Sequence, residues 1–188
     1  MTDLAPAPRL PPHADASTWG AVSREFASLG FTEHDLGVIS TAVDAFDDSF
    51  DTPIVFSPIF RGSKVAGSSR LGVLLRLFQE GDRVPCRELD RLFSPTTLSV
   101  LGESGLLTQD RGDFVANASL VPWGGFLVAA DRYDAEGHGD YVFRPNVSTS
   151  NVRALFPPIA RAIKALDIGA GSGALTIHLA RDQVDVTA

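Results

Sequence analysis

The residues best equipped for chemistry stand together at Asp167-Ile-Gly-Ala-Gly-Ser-Gly173. Glycines at alternate positions let a backbone turn tightly, take positive φ and approach a ligand where any Cβ would collide. Ala165-Leu-Asp-Ile168 reads as a short apolar strand leading into them, and Leu175, Ile177, His178 and Leu179 belong to a helix leading out. The glycines therefore join a strand to a helix N-terminus, whose free amides and positive dipole end suit an anionic group such as a carboxylate or phosphate. Val184-Asp-Val-Thr-Ala188 follows with the alternation and β-branching of a parallel neighbour.

Spacing separates the ligand classes that use such a loop. A Walker phosphate loop needs Gly-Lys-Ser/Thr, which does not follow, and Ser172 is flanked at two residues by Ala170 and Ala174 where a nucleophile elbow has glycines. The dinucleotide fingerprint stays open, because Gly169, Gly171 and Ala174 fit Gly-x-Gly-x-x-Gly/Ala. Against it stand Gly173, which makes the pattern Gly-x-Gly-x-Gly, and Asp167, whose charge opposes an approaching pyrophosphate. An ammonium or sulfonium would tolerate that acid.

Leu-Asp-Ile-Gly-Ala-Gly-Ser-Gly-Ala-Leu-Thr resembles the first motif of class I S-adenosylmethionine-dependent methyltransferases. The resemblance implies that Asp167, Gly169, Gly171 and Gly173, with Ala170 and Ser172 as intervening backbone positions, wrap the methionine part of the cofactor while the acid orients its amino end. Residues 147–163, with Ser148-Thr-Ser150 and Leu155-Phe-Pro-Pro158, are similar to the lead-in of members that methylate ribosomal RNA or release-factor glutamine. By that likeness the acceptor is a nitrogen of RNA or protein. Two family features are not found: the acid closing the second strand, since Asp185 lies inside it, and the Asn/Asp-Pro-Pro-Tyr loop. No catalytic residue is assigned, and the 188 residues are expected to be the front of a longer enzyme, binding cofactor poorly and catalysing nothing alone.

Upstream elements must position this loop. The tail at 1–14 carries prolines at 6, 8, 11 and 12. Asp15 or Ser17 caps a helix with Trp19, Val22, Phe26 and Leu29 on one face and Gly30 at its end. Thr32 caps a second, with Leu36, Ile39, Val43 and Phe46, and residues 53–60 read as an extended connection. From Ser68 an apolar stripe of Leu71, Leu74, Leu75 and Phe78 runs to Gly81; a short helix follows at 85–93 with Pro85 in its first position. Ser94 and Pro95 open a third at 96–103, with Leu98 and Leu101 inward and Gly105 turning the chain. Residues 106–108 and 114–116 flank Asp110-Arg-Gly-Asp113 as a hairpin, with further strands at 125–130 and 140–143. Three helices and a hairpin over 68–130 resemble winged-helix order. The expected fold is thus an α+β, winged-helix-like accessory domain at 15–145, then the β-α-β start of an α/β Rossmann-like methyltransferase domain at 146–188.

Charge bears on partners. Residues 1–60 carry two arginines against nine acids, whereas 61–91 carry seven bases against four acids. The mildly basic middle admits nucleic-acid contact through 61–116, although helix 96–103 contains no Arg or Lys to read bases. A winged-helix nucleic-acid or protein-binding module is therefore the competing reading, and a nicotinamide-dependent oxidoreductase the third. Cys86 is alone and reads as an ordinary thiol, and His138 sits in a glycine-flanked loop better suited to a solvated turn than to a metal. With no long apolar run and no leader pattern, a cytoplasmic location is expected, with no membrane partner.

Overall fold

The computed structural model describes residues 15–37, 66–132, 142–145, 147–156, 164–181 and 184–188. The tail, the second helix beyond residue 37, the connection at 53–60 and the His138 loop lie outside the described residues. What is described is a mixed α+β chain of short helices, two small antiparallel sheets and one parallel strand pair.

Helix α1 spans Ala16–Ser28. Asp15 caps it by accepting hydrogen bonds from the Thr18 amide, the Ser17 hydroxyl and the Thr18 hydroxyl. The Thr18 amide bond and the two hydroxyl bonds lower the Asp15 carboxyl from 3.8 to about 2. Val22 and Phe26 face inward, and Gly30 in the left-handed region ends the helix. Thr32 then accepts from the Asp35 amide and opens the helical segment at 33–37.

Helix α2, Arg70–Leu75, is capped by Ser69 and passes directly into a π-helical turn, Arg76–Glu80, which Gly81 closes at φ +77°. The wider turn brings Leu77, Phe78 and Gln79 all inward. The buried Gln79 side chain donates to the Leu120 carbonyl and accepts from Arg144 at 3.0 Å. A strict 3.6-residue reading of this stripe misses the added inward position.

Strand β1, Val84–Pro85, precedes helix α3, Cys86–Leu89. Pro85 pairs with Asp113 in a sheet and so stands before the helix instead of in its first turn. Helix α4, Pro95–Glu103, has Ser94 at its N-cap and buries Thr97, Val100 and Leu101, with Leu98 half-buried. Strands β2, Leu107–Asp110, and β3, Asp113–Ala116, form the hairpin and, with β1, an antiparallel sheet of order β1-β3-β2. Its tip, Arg111-Gly112, has both residues at positive φ, 53° and 90°, the geometry whose twist suits a two-residue hairpin. Arg83 bonds both flanking carboxylates, Asp110 at 2.8 Å and Asp113 at 3.4 Å, and these bonds raise its pKa.

A second antiparallel pair consists of β4, Ser119–Trp123, and β5, Phe126–Ala130. Strand β4 was not foreseen. All five of its residues are buried, so it lacks the alternation that marks a half-buried strand, and Pro122 interrupts its donors. At 142–143 no strand forms; the Val142 backbone instead bonds Asp131 through the Asp131 amide and carboxylate. Helix α5, Val147–Ala154, strand β6, Lys164–Leu166, helix α6, Ala174–Arg181, and strand β7, Asp185–Thr187, complete the order.

The main core gathers Phe26, Phe31, Phe78 and Phe93 with Leu74, Leu77, Leu89 and Leu101. Phe26 is central, 4.8–5.5 Å by ring centroid from the other three rings. A polar clasp joins α1 to α4 beside it. The Glu25 carboxylate accepts from the Ser94 amide at 2.6 Å, the Ser94 hydroxyl at 3.0 Å and the Thr97 hydroxyl. Burial would raise this carboxyl, but the Thr97 and Ser94 hydrogen bonds outweigh it and hold it below the ordinary 4.5. Among the described residues no helix is long and apolar enough to cross a membrane.

Two outcomes follow from these contacts. Glu25→Ala should cost about 1–2 kcal/mol at pH 7, as loss of a helix cap and its charge-assisted bonds does. Because the folded carboxyl is the stronger acid, its contribution is complete above the unfolded value and disappears as pH falls through the folded one. Urea denaturation should therefore show the wild-type and variant curves converging below pH 4, and a constant gap down to pH 2.5 would contradict this. Arg111→Asn should raise the melting temperature by a few degrees, since Asn tolerates the left-handed region at less than the roughly 1 kcal/mol an ordinary residue pays. A lower melting temperature would show that Arg111 holds the turn by a contact worth more than its strain.

Candidate functional site

The glycine loop occupies the crossover between β6 and α6. Strands β6 and β7 pair in parallel, Lys164 opposite Asp185, Ala165 opposite Val186 and Leu166 opposite Thr187. The Asp167 amide extends the ladder to the Thr187 carbonyl at 2.8 Å, so Asp167 is fixed where the strand ends. Gly169, Gly171 and Gly173 then take φ of 75°, 55° and 71°. A Cβ built on Gly169 or Gly173 would meet nothing within 4 Å, and on Gly171 only the Gly169 carbonyl at 3.9 Å. The glycines thus answer a backbone requirement and leave open space above the loop, which a side chain would fill.

The Gly173 amide bonds the Ala170 carbonyl at 2.9 Å, closing the last turn before the helix, and the Ile177 amide takes the Gly173 carbonyl as its first helical partner. Asp167 is held from the helix side: the Thr176 hydroxyl donates to its Oδ2 at 2.6 Å. Thr176 stands nine residues from Asp167, a spacing that signals nothing until a strand-loop-helix turn superposes them. All six sequence-selected residues, Asp167, Gly169, Ala170, Gly171, Ser172 and Gly173, fall in this single turn. Asp185 starts β7 at the end of the pair opposite the loop, where it reaches Lys164 at 3.9 Å, so it does not join them. Chemically the turn offers one carboxylate, amides at a helix start and uncovered backbone. Among the described residues no group of His, Cys, Asp and Glu is placed to hold a metal.

Flanking apolar residues are uncovered: Leu166 is 67% exposed and Ile168 86%. The other side of α6 is anchored. Ala174 and Leu175 pack against Trp123, Phe126 and Val128 of the β4–β5 hairpin. The Trp123 indole, 4% exposed, is the anchor point: its Nε1 donates to Ser150 of α5 at 3.1 Å, the Arg153 guanidinium lies 4.7 Å over it, and His178 of α6 meets it edge-on at 6.1 Å. Arg153 continues to Glu33 at 3.3 Å, and Arg181 donates to the Gly124 carbonyl at 3.1 Å. The loop's helix is therefore positioned by a tryptophan more than forty residues upstream.

Trp123→Ala should destabilise the protein by about 3 kcal/mol, as loss of a buried aromatic does, and should do so locally. Amide exchange should quicken most in 147–154 and 174–181 and least in α4. Uniform acceleration would show that the hairpin belongs to the main core alone. Comparison with protein-family models returns no match, and no curated protein matches the chain, so the reading of the loop rests on its residues and geometry.

Proposed function

We propose that the chain carries the cofactor loop of an S-adenosylmethionine-dependent methyltransferase that transfers a methyl group to a nitrogen of RNA or protein. The observation that carries this reading is the turn itself: alternate glycines at positive φ between a parallel strand and a helix, with an acid at the strand end oriented by a helix hydroxyl. An acid suits the ammonium of a methionine moiety and opposes a pyrophosphate, which favours this cofactor over a nicotinamide dinucleotide. The open space over Gly169 and Gly173 fits a ligand lying against bare backbone.

In this reading Asp167 orients the cofactor's amino end, the 169–173 backbone lines its methionine part, and the amides starting α6 face its carboxylate. When bound, the cofactor supplies an electrophilic methyl on sulfonium. The protein's contribution is positioning, with Thr176 keeping Asp167 in one rotamer. Residues 146–188 then belong to a doubly wound domain, and 15–145 form the accessory, substrate-recognising part.

The order α2-β1-α3-α4-β2-β3, with sheet order β1-β3-β2, supports a winged-helix unit within that part. A docking role for it is favoured over base reading, because α4 carries no Arg or Lys and the Glu25 carboxylate occupies its N-terminus.

Calorimetric titration of S-adenosylhomocysteine into the full product of the gene, with NADH as control, tests the proposal. Binding of S-adenosylhomocysteine alone, weakened at least tenfold by Gly171→Val, is the expected result. Binding of NADH, or of neither, would show that the loop has been misread.

A further inference from the structure

Helix α6 is held on two opposite faces. At 3.6 residues per turn Ala174, His178 and Arg181 share one side and Thr176 lies on the other. The first side meets the β4–β5 hairpin. Ala174 shares a buried cluster with Trp123 and Val128, His178 meets the Trp123 indole edge-on at 6.1 Å, and Arg181 donates to the Gly124 carbonyl at 3.1 Å. The second side meets the end of β6, where the Thr176 hydroxyl donates to Asp167 Oδ2 at 2.6 Å.

The backbone and the carboxylate of Asp167 are held by different partners. Its amide belongs to the strand ladder, on the Thr187 carbonyl at 2.8 Å, which fixes the backbone. Its carboxylate has Thr176 as its one partner among the described residues. An Asp side chain otherwise has the staggered χ1 wells open to it, and the Thr176 bond selects one. Thr176 is β-branched and restricted at χ1 in a helix, so the direction of its hydroxyl follows from how α6 is turned.

That turn has a narrow tolerance. Rotating a helix by about 20° about its axis moves a Cα, about 2.3 Å out, by roughly 0.8 Å, and a side-chain oxygen farther out by more. Directed away from Asp167, such a shift takes a 2.6 Å contact past the roughly 3.0 Å reach of an O–H···O bond. The rotation is decided at the hairpin, because Ala174 is the one buried residue of α6 and directly follows the loop's last glycine.

We propose that Thr176 is a positioning residue through which the β4–β5 hairpin controls the acid of the glycine loop. The hairpin sets the rotation of α6, α6 aims Thr176, and Thr176 holds the Asp167 carboxylate in one rotamer. A cationic ligand group meets an oriented acid only while the hairpin is packed on α6, so the accessory part regulates the loop without touching its ligand. The coupling follows from the geometry alone, and its role in cofactor binding rests on the methyltransferase reading.

The χ1 rotamer of Asp167, read from three-bond couplings by NMR, tests the coupling with no ligand present. A single rotamer is expected in the wild type and in Thr176→Ser, which keeps the hydroxyl. Averaging among rotamers is expected in Thr176→Val, which keeps the shape and loses the donor. Trp123→Leu, which leaves an apolar residue but removes the indole, should average it equally, with unchanged amide exchange in α4 showing the main core intact. Ala174→Leu, which pushes α6 off the hairpin from the helix side, should do the same. Adding Thr176→Val to either should change nothing more, since all three act through one bond. S-adenosylhomocysteine should bind Thr176→Val and Trp123→Leu about fivefold more weakly than the wild type, the effect of one hydrogen bond, and Thr176→Ser as tightly as the wild type. A single rotamer kept in Thr176→Val, or in either hairpin-side variant, would overturn the proposal. Failure of the wild type to bind S-adenosylhomocysteine while the rotamers behave as expected would overturn the cofactor reading and uphold the coupling.

Discussion

The buried strand β4 is the constraint on which the arrangement depends. Its Leu120 belongs to the main aromatic and aliphatic core and its carbonyl is held by Gln79 of the π-helical turn. Three residues on, Trp123 belongs to a separate small cluster with Ala174 and Leu175 of the glycine-loop helix. One extended segment thus touches both packing units. The indole suits that role because it presents wide apolar faces and one donor: Arg153 takes a face, His178 an edge, and Ser150 the Nε1 proton. A smaller residue at 123 would remove the indole contacts of α5 and leave α6 with its packing on Phe126 and Val128 and the exposed Arg181 bond to Gly124, of a kind worth little by itself.

What was legible in the sequence was what local stereochemistry decides. Asp15, Thr32 and Ser94 cap where their side chains reach an amide three residues on, and Gly30, Gly81 and Gly105 turn the chain where only positive φ ends a helix. The strand, glycine loop and helix at 164–181 were readable for the same reason, since a tight crossover imposes its residue types position by position. Hidden features depend on partners distant in sequence. Nothing around Glu25 announces that it caps a helix 69 residues away, and Pro85 looked like a helix opener because its strand partner Asp113 lies beyond two intervening helices. Strand β4 escaped because burial on both faces erases the alternation by which strands are recognised.

Electrostatics shows what a count of charges leaves undecided. The excess of arginine in 61–91 suggested a surface for phosphate, yet Arg76 is paired with Glu88 at 3.1 Å and Arg83 with Asp110 and Asp113. Those guanidiniums tie the π-helical turn to α3 and the residue before β1 to the hairpin, spending their charge internally. The helix that winged-helix order would present to nucleic acid has its positive end already met by Glu25. A basic count becomes a phosphate site only where cations stand free and together, and the exposed Arg87 and Arg91 are interspersed in sequence with the exposed Asp82 and Asp90. Among the described residues, Arg76 and Arg83 are therefore poorly placed to neutralise phosphates in any contact of this unit with RNA. A guanidinium held in an internal pair releases no phosphate counterion, so these two add nothing to the salt dependence of such a contact.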